Sequence, residues 1–211
     1  MPPDIRLYIV RHGKTEYNVK DIIQGQLDIP LNSLGRSQAE ESSEKFRNII
    51  IDELWSSDLS RAKETAKIIS QYHVGLPLQV DARLKERGMG SWQGKPNEEV
   101  GMSSEPDDVE SYQATTHRTI AWLHDLLSAH ISATESVRSV VVVTHEDCIT
   151  SLAQCIRSGS SDIDQSLLFD VKEGIGMEDG CPNLGVSKIE FSYDDLKWKG
   201  TVFAWSEVGP V

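Results

Sequence analysis

Arg11, His12, Arg61, Glu86 and His145 are the residues of this chain whose types could do chemistry together. Two arginines and two imidazoles around one point can surround the equatorial oxygens of a phosphoryl group in transfer, where catalysis is mostly positioning and charge stabilisation. A neutral imidazole nitrogen is also a competent nucleophile and divides such a transfer into formation and breakdown of a phosphohistidine. The departing alkoxide needs a proton. A carboxylic acid beside a bound phosphate dianion has its pKa raised, which would keep Glu86 protonated for that task. Each residue alone has a plainer use, a strand-end histidine as a structural hydrogen-bonding group and a helix arginine as a surface ion pair. The elements that place these residues decide between the two uses.

Leu7-Tyr8-Ile9-Val10 leads four apolar residues into Arg11-His12-Gly13, so a strand over Ile5 to Val10 presents a histidine at its carboxyl tip. Open α/β sheets bind ligands at that edge. Gly13, lacking a side chain, would let an anion approach the backbone. From Arg11 to Leu31 there is no sustained period, which reads as a long ordered loop over the tip, and such loops in compact domains build sites. Asn32 can cap a helix from Ser33 to about Asn48, with Ala39, Ser43, Phe46 and Ile50 inward. Glu53 to Ser57 is a short second strand, and Ser57 or Asp58 can cap a helix from Ser60 to about Tyr72 with Ala62, Thr65, Ala66, Ile68 and Ile69 at helical spacing. Arg61 sits in its first turn, where the macrodipole disfavours a cation. Its functional use there would be to join the free helical N–H groups in gripping an anion.

An extended piece, Leu78 to Val80, precedes a glycine-rich turn from Arg83 to Gly94 that holds Glu86, and Gly94 to Asp107 is polar surface. A long helix is expected over Asp108 to Thr134, with Val109, Tyr112, Thr116, Ile120, Leu123 and Leu127 as its stripe. His117, His124 and His130 within it lack the three- or four-residue spacing of a metal pair and read as solvated or half-buried. Ser139 to Thr144 is a β-branched run suited to a central strand buried on both faces, and it ends at His145. Cys148 to Arg157 is helical, Ser158 to Asn183 a long excursion, and Val186 to Tyr193 with Trp198 to Trp205 a hairpin joined through Asp194-Asp195. The alternation predicts an α/β fold with a mostly parallel sheet whose strand ends converge on one edge.

The totals narrow the class. A chain of 211 residues with 33 Asp and Glu against 21 Lys and Arg, a formal charge of -12, fits one domain over 1–211 and argues against nucleic acid as a partner. The three cysteines, Cys148, Cys155 and Cys181, lack metal-ligand spacing and read as free thiols in a reducing compartment. Met1-Pro-Pro-Asp begins no basic-then-apolar leader, and no apolar run approaches the roughly 20 residues that span a bilayer. The expectation is a cytoplasmic, alternatively nuclear, protein with no membrane partner and an open oligomeric state.

Arg11-His12-Gly13-Lys14-Thr15, Asn18, Leu31 to Ala39, Ser56-Ser57-Asp58-Leu59-Ser60-Arg61-Ala62, Leu84-Lys85-Glu86-Arg87 and Val143-Thr144-His145 resemble, in order, the histidine phosphatase superfamily, the phosphoglycerate-mutase-like proteins. The resemblance implies a three-layer sandwich with helices flanking the central sheet. It implies His12 as the phosphorylated nucleophile, Arg11, Arg61 and His145 completing the phosphate pocket, and Glu86 as proton donor. By the same match Asn18 donates to the phosphate, and Thr15, Gln24 and Gly25 line the pocket; neither metal nor cofactor is implied. The chain departs from the pattern at Glu146 and Asp147, which stand where the family usually shows small residues. Two carboxylates suit a helix start, so capping is their plain use, yet they bring negative charge to a site meant for an anion.

The resemblance leaves three functions to separate. A phosphatase and a mutase share the phosphohistidine and differ in whether water or a bound phosphorylated acid receives the group. The mutase branch carries a long insertion between the acid and the second histidine, whereas here one helix fills that interval. An open pocket lets water compete, which favours a phosphatase acting on a small phosphorylated metabolite. The third possibility is a catalytically weak binding module of the same fold, favoured by Glu146 and Asp147 and opposed by the full set of five.

Overall fold

Val140 to Val143 offers a branched apolar side chain to both faces of a sheet at once, and the fold is built around that property. The computed structural model describes residues 4–101, 104–132, 137–158, 167–177 and 180–208. Among them a sheet of seven strands runs in the order β3-β2-β4-β1-β6-β7-β5. Its strands are β1 (Asp4–Arg11), β2 (Glu53–Ser56), β3 (Leu78–Val80), β4 (Val137–Thr144), β5 (Leu167–Val171), β6 (Val186–Asp194) and β7 (Lys197–Glu207). The sheet is mostly parallel: β3, β2, β4 and β1 pair in parallel, as do β5 and β7, while β6 is antiparallel to both of its neighbours.

Side chains of a strand alternate between faces. Leu7 and Ile9 of β1 with Val140 and Val142 of β4 therefore enter one core, and Tyr8 and Val10 with Val141 and Val143 enter the other. The first core is closed by α5 (Tyr112–Ala129) and α6 (Glu146–Ser158), through residues such as Leu123, Leu127, Ile149 and Leu152. The second is closed by α2 (Ser33–Phe46) and α3 (Ser60–Ile69), through Ala39, Phe46, Ala62, Ala66 and Ile69. The result is the expected three-layer sandwich. Each fully buried valine of β4 is worth about 1.5–3 kcal/mol of hydrophobic stabilisation.

Several boundaries differ from the sequence expectation. The loop after β1 contains a short helix, α1 (Glu16–Val19), begun by a reciprocal cap between Thr15 and Asn18. Asn32 caps α2 through the Gly35 N–H at 2.8 Å, as expected, but Ile50 is exposed because the helix stops at Phe46. Helix α5 starts at Tyr112, capped by Ser111 rather than entered at Asp108, and leaves Tyr112 itself on the surface. A four-residue helix, α4 (Asn97–Val100), precedes it. Of the three histidines, His117 is exposed, His124 half-buried, and His130 buried, with its Nε2 2.7 Å from Oε1 of Glu53. The hairpin turns one residue later than expected, through Asp195 and Leu196, both left-handed at φ 48° and 63°. Strand β5 lies within the stretch read as an excursion; residues 159–166, also part of that reading, lie outside the described residues.

Candidate active site

Parallel pairing of β1 with β4 sets Arg11 opposite Thr144, so the next residue on each strand is a histidine and the two meet. Their rings lie 5.1 Å apart between centroids. The His12 N–H donates to the Thr144 carbonyl at 3.1 Å, and Asn183 Nδ2 donates to the His12 carbonyl at 2.9 Å. His12 Nδ1 faces the Gly13 carbonyl at 2.7 Å. A carbonyl only accepts, so the ring proton belongs on Nδ1 and Nε2 keeps its lone pair. That lone pair receives Nε–H of Arg61 at 3.2 Å.

Arg61 is fully buried. Its two remaining nitrogens donate to the carbonyls of Leu27 at 2.7 Å and Gly25 at 2.8 Å, so the loop after α1 fixes the guanidinium. His145 is held by Ser57, whose Oγ is 2.7 Å from Nε2. Because Ser57 Oγ also accepts the Leu59 N–H at 3.4 Å, its own hydrogen is free for Nε2. The His145 proton then sits on Nδ1, which has no partner among the described residues. Burial first, and Arg61 next, hold both imidazoles well below the ordinary histidine pKa, so both are neutral at pH 7. Burial also lowers Arg61, to about 10, which still leaves it charged.

Two sequence expectations are corrected here. Gly13 makes room for protein, not for an anion: a Cβ there would lie 2.6 Å from the Gly35 carbonyl oxygen, and its N–H donates to Thr65 Oγ1 at 3.1 Å. Three of the first four amides of α3, all but that of Arg61, are likewise spent. Ser60 N–H donates to Asp28 Oδ1 at 2.6 Å, and those of Ala62 and Lys63 return to the Leu59 carbonyl. Neither Ser57 nor Asp58 caps this helix; Asp28 does so from another part of the chain.

Beside these residues lies a cleft of about 350 Å³, lined among others by Arg11, Asn18, Gln24, Gly25, Glu86, Glu146 and Asp147, whereas His12, Arg61 and His145 are buried and do not line it. Thr15 is buried and does not line it. Its hydroxyl lies 2.8 Å from Gln24 Oε1, and Asn18 Oδ1 accepts the Thr15 N–H at 3.1 Å, so it orients two residues that do. Glu86 reaches in from the turn after β3, where its Oε1 accepts the N–H groups of Arg87 at 2.9 Å and Asp147 at 3.1 Å. It therefore caps α6 as well as facing the cleft. Burial, and then the neighbouring Asp147 carboxylate, push the Glu86 pKa up to about 7. A residue with an unusual pKa in such a cleft is equipped to trade protons near neutrality.

Of the five residues expected at the site, His12 meets both Arg61 and His145 while Arg11 and Glu86 line the adjoining cleft; one other has a larger part than expected. Arg11 gives one nitrogen to the Cys181 carbonyl and another to Glu146 Oε2 at 2.7 Å. Glu146 is therefore an ion-pair partner of a site arginine, more than a helix-start carboxylate. Ser57, Asn183, Asp28 and the carbonyls of Gly25 and Leu27 were not singled out for these tasks. Ser57 carried a local signal, since it lies in the same short motif as Arg61.

The family model described as "Histidine phosphatase superfamily (branch 1)" matches residues 7–167. The chain is 31% identical over 195 residues, 90% of each chain, to "Uncharacterized phosphatase PhoE" of Bacillus subtilis. It is 34% identical over 166 residues, 72% of this chain and 73% of the other, to glucosyl-3-phosphoglycerate phosphatase of Mycolicibacterium vanbaalenii. The solved native structure of a mycobacterial glucosyl-3-phosphoglycerate phosphatase superposes with a TM-score of 0.76 at 27% identity, covering 96% of this chain and 99% of that one.

Proposed function

The chain belongs to the histidine phosphatase superfamily, branch 1, and from that premise we propose that it hydrolyses a small phosphorylated metabolite through a phosphohistidine on His12. The observation that carries this reading is the His12 ring itself: Nδ1 is tied to Gly13 at 2.7 Å and Nε2 is left as a lone pair beside Arg61. Nε2 attacks phosphorus, and the bond from phosphorus to the ester oxygen breaks. As the N–P bond forms, Arg61 Nε–H passes from the ring to an equatorial phosphoryl oxygen, which Arg11 and the Nδ1–H of His145 also hold. Glu86, protonated in good part at pH 7, gives its proton to the departing alkoxide. Water then attacks the phosphohistidine, Glu86 takes a proton from it, and Nε2 leaves with its electron pair.

Trapping tests the proposal. Wild type incubated with a radiolabelled phosphomonoester and quenched in alkali should retain label that acid removes, and His12→Ala should retain none and lose turnover. Equal labelling of the variant, or acid-stable label, would overturn the assignment. Following released phosphate against isomerisation of 3-phosphoglycerate in the same samples separates hydrolysis from mutase transfer.

A further inference from the structure

We propose that the cleft lined by Arg11 and Glu86 takes phosphomonoesters whose alcohol bears hydroxyls and no carboxylate, with Glu146 and Asp147 as the residues that reject anionic leaving groups. This deepens the phosphatase reading and rests on it. Among the described residues lining the cleft, Arg11 is the one cation, and Glu146 Oε2 already holds it at 2.7 Å. A substrate phosphate must compete with that carboxylate for Arg11. Glu146 remains in the cleft, which Asp147 and Asp21 also line. The other positive charge, Arg61, is buried against His12 Nε2 and is used by the phosphate. The leaving group is therefore met by carboxylates and by the side-chain amides of Asn18 and Asn97. Hydroxyls can donate to the first and accept from the second. A carboxylate on the leaving group meets like charge instead: at about 6 Å and an effective dielectric of 20, two such charges disfavour binding by roughly a hundredfold, less where solvent screens them.

Glycerol 3-phosphate and 3-phosphoglycerate share a skeleton and differ in a hydroxymethyl against a carboxylate, so they isolate this charge. Each is measured as a competitive inhibitor of p-nitrophenyl phosphate turnover, so that a slowly hydrolysed ester still reports its affinity. Wild type should bind glycerol 3-phosphate at least tenfold more tightly, and Glu146→Gln with Asp147→Asn should shrink that ratio severalfold, mainly by improving 3-phosphoglycerate. Equal affinity in wild type, or a preference for 3-phosphoglycerate, overturns the inference alone. An improvement of both esters by the same factor in the double variant overturns the selective role and leaves Glu146 as a simple competitor for Arg11. If wild type turns over no phosphomonoester at all, it is the proposed function that fails.

Discussion

Replacing Glu86 with Gln separates its proton from its hydrogen bonds, because a Gln oxygen can still accept from the N–H groups of Arg87 and Asp147. Glu86 titrates at about 7 against an ordinary 4.5. At pH 6 the acid form is then about nine-tenths populated, where an unshifted glutamate would be only about 3% protonated, a difference of roughly thirtyfold in competent acid. His12 is held well below 6.5, so its lone pair remains available at the same pH. The first step needs protonated Glu86 and neutral His12. For an alkyl ester with a poor leaving group, turnover should therefore fall as pH rises through about 7, with the acid limb well below 6.5. The assay compares glycerol 3-phosphate with p-nitrophenyl phosphate under single-turnover conditions between pH 5 and 9. Glu86→Gln should cost about 10²–10⁴ on the alkyl ester, far less on the activated one, and should abolish the limb near 7. The substrate's own ionisation is common to both proteins and cancels in the comparison. Equal losses on both esters, or an unchanged limb, would refute the assignment of Glu86 as acid and leave it as the cap of α6.

Three further outcomes follow from the geometry. Asp28→Ala removes the cap on Ser60 and should cost about 1 kcal/mol of stability; because Arg61 is the next residue, turnover should fall as well, both read by thermal denaturation and a phosphatase assay. Ser57→Ala leaves His145 Nε2 without its 2.7 Å partner, frees the tautomer, and should both weaken inhibition by inorganic phosphate and cost about 1–3 kcal/mol of stability, since a buried acceptor is left unpaired. Gly35→Ala would place a Cβ 2.0 Å from the Lys14 carbonyl oxygen; backbone must move, and denaturant titration should show a loss of at least about 1–3 kcal/mol.

What the sequence disclosed divides along physical lines. Strands β1 and β4 were legible because burial on both faces demands an unbroken apolar run, and the residues after them fell into place at the sheet edge. The short elements were not. Helix α1 is four residues long and its reciprocal cap uses Asn18 where the usual pattern has Glu or Gln. Strand β5 has buried or half-buried residues only at alternate positions, too few for a period to stand out within a polar stretch. The misreadings at the site share one cause, which is that the deciding partner is remote in the chain. Gly13 is glycine because of Gly35, α3 is capped by Asp28, and Glu146 is turned toward Arg11. Local pattern supplies the residue and the element, and only the assembled fold supplies such a neighbour.

The sheet order carries a consequence for how this molecule is made. Strand β4 lies between β1 and β2, so the amino-terminal half cannot close a sheet of its own, however much of it has left the ribosome. Strand β1 waits with an open edge until more than a hundred further residues arrive, and β2 until about eighty do, connections of the slow, non-local kind. Truncation before β4 should therefore yield aggregate rather than a smaller folded protein, since unpaired edges of this composition recruit one another.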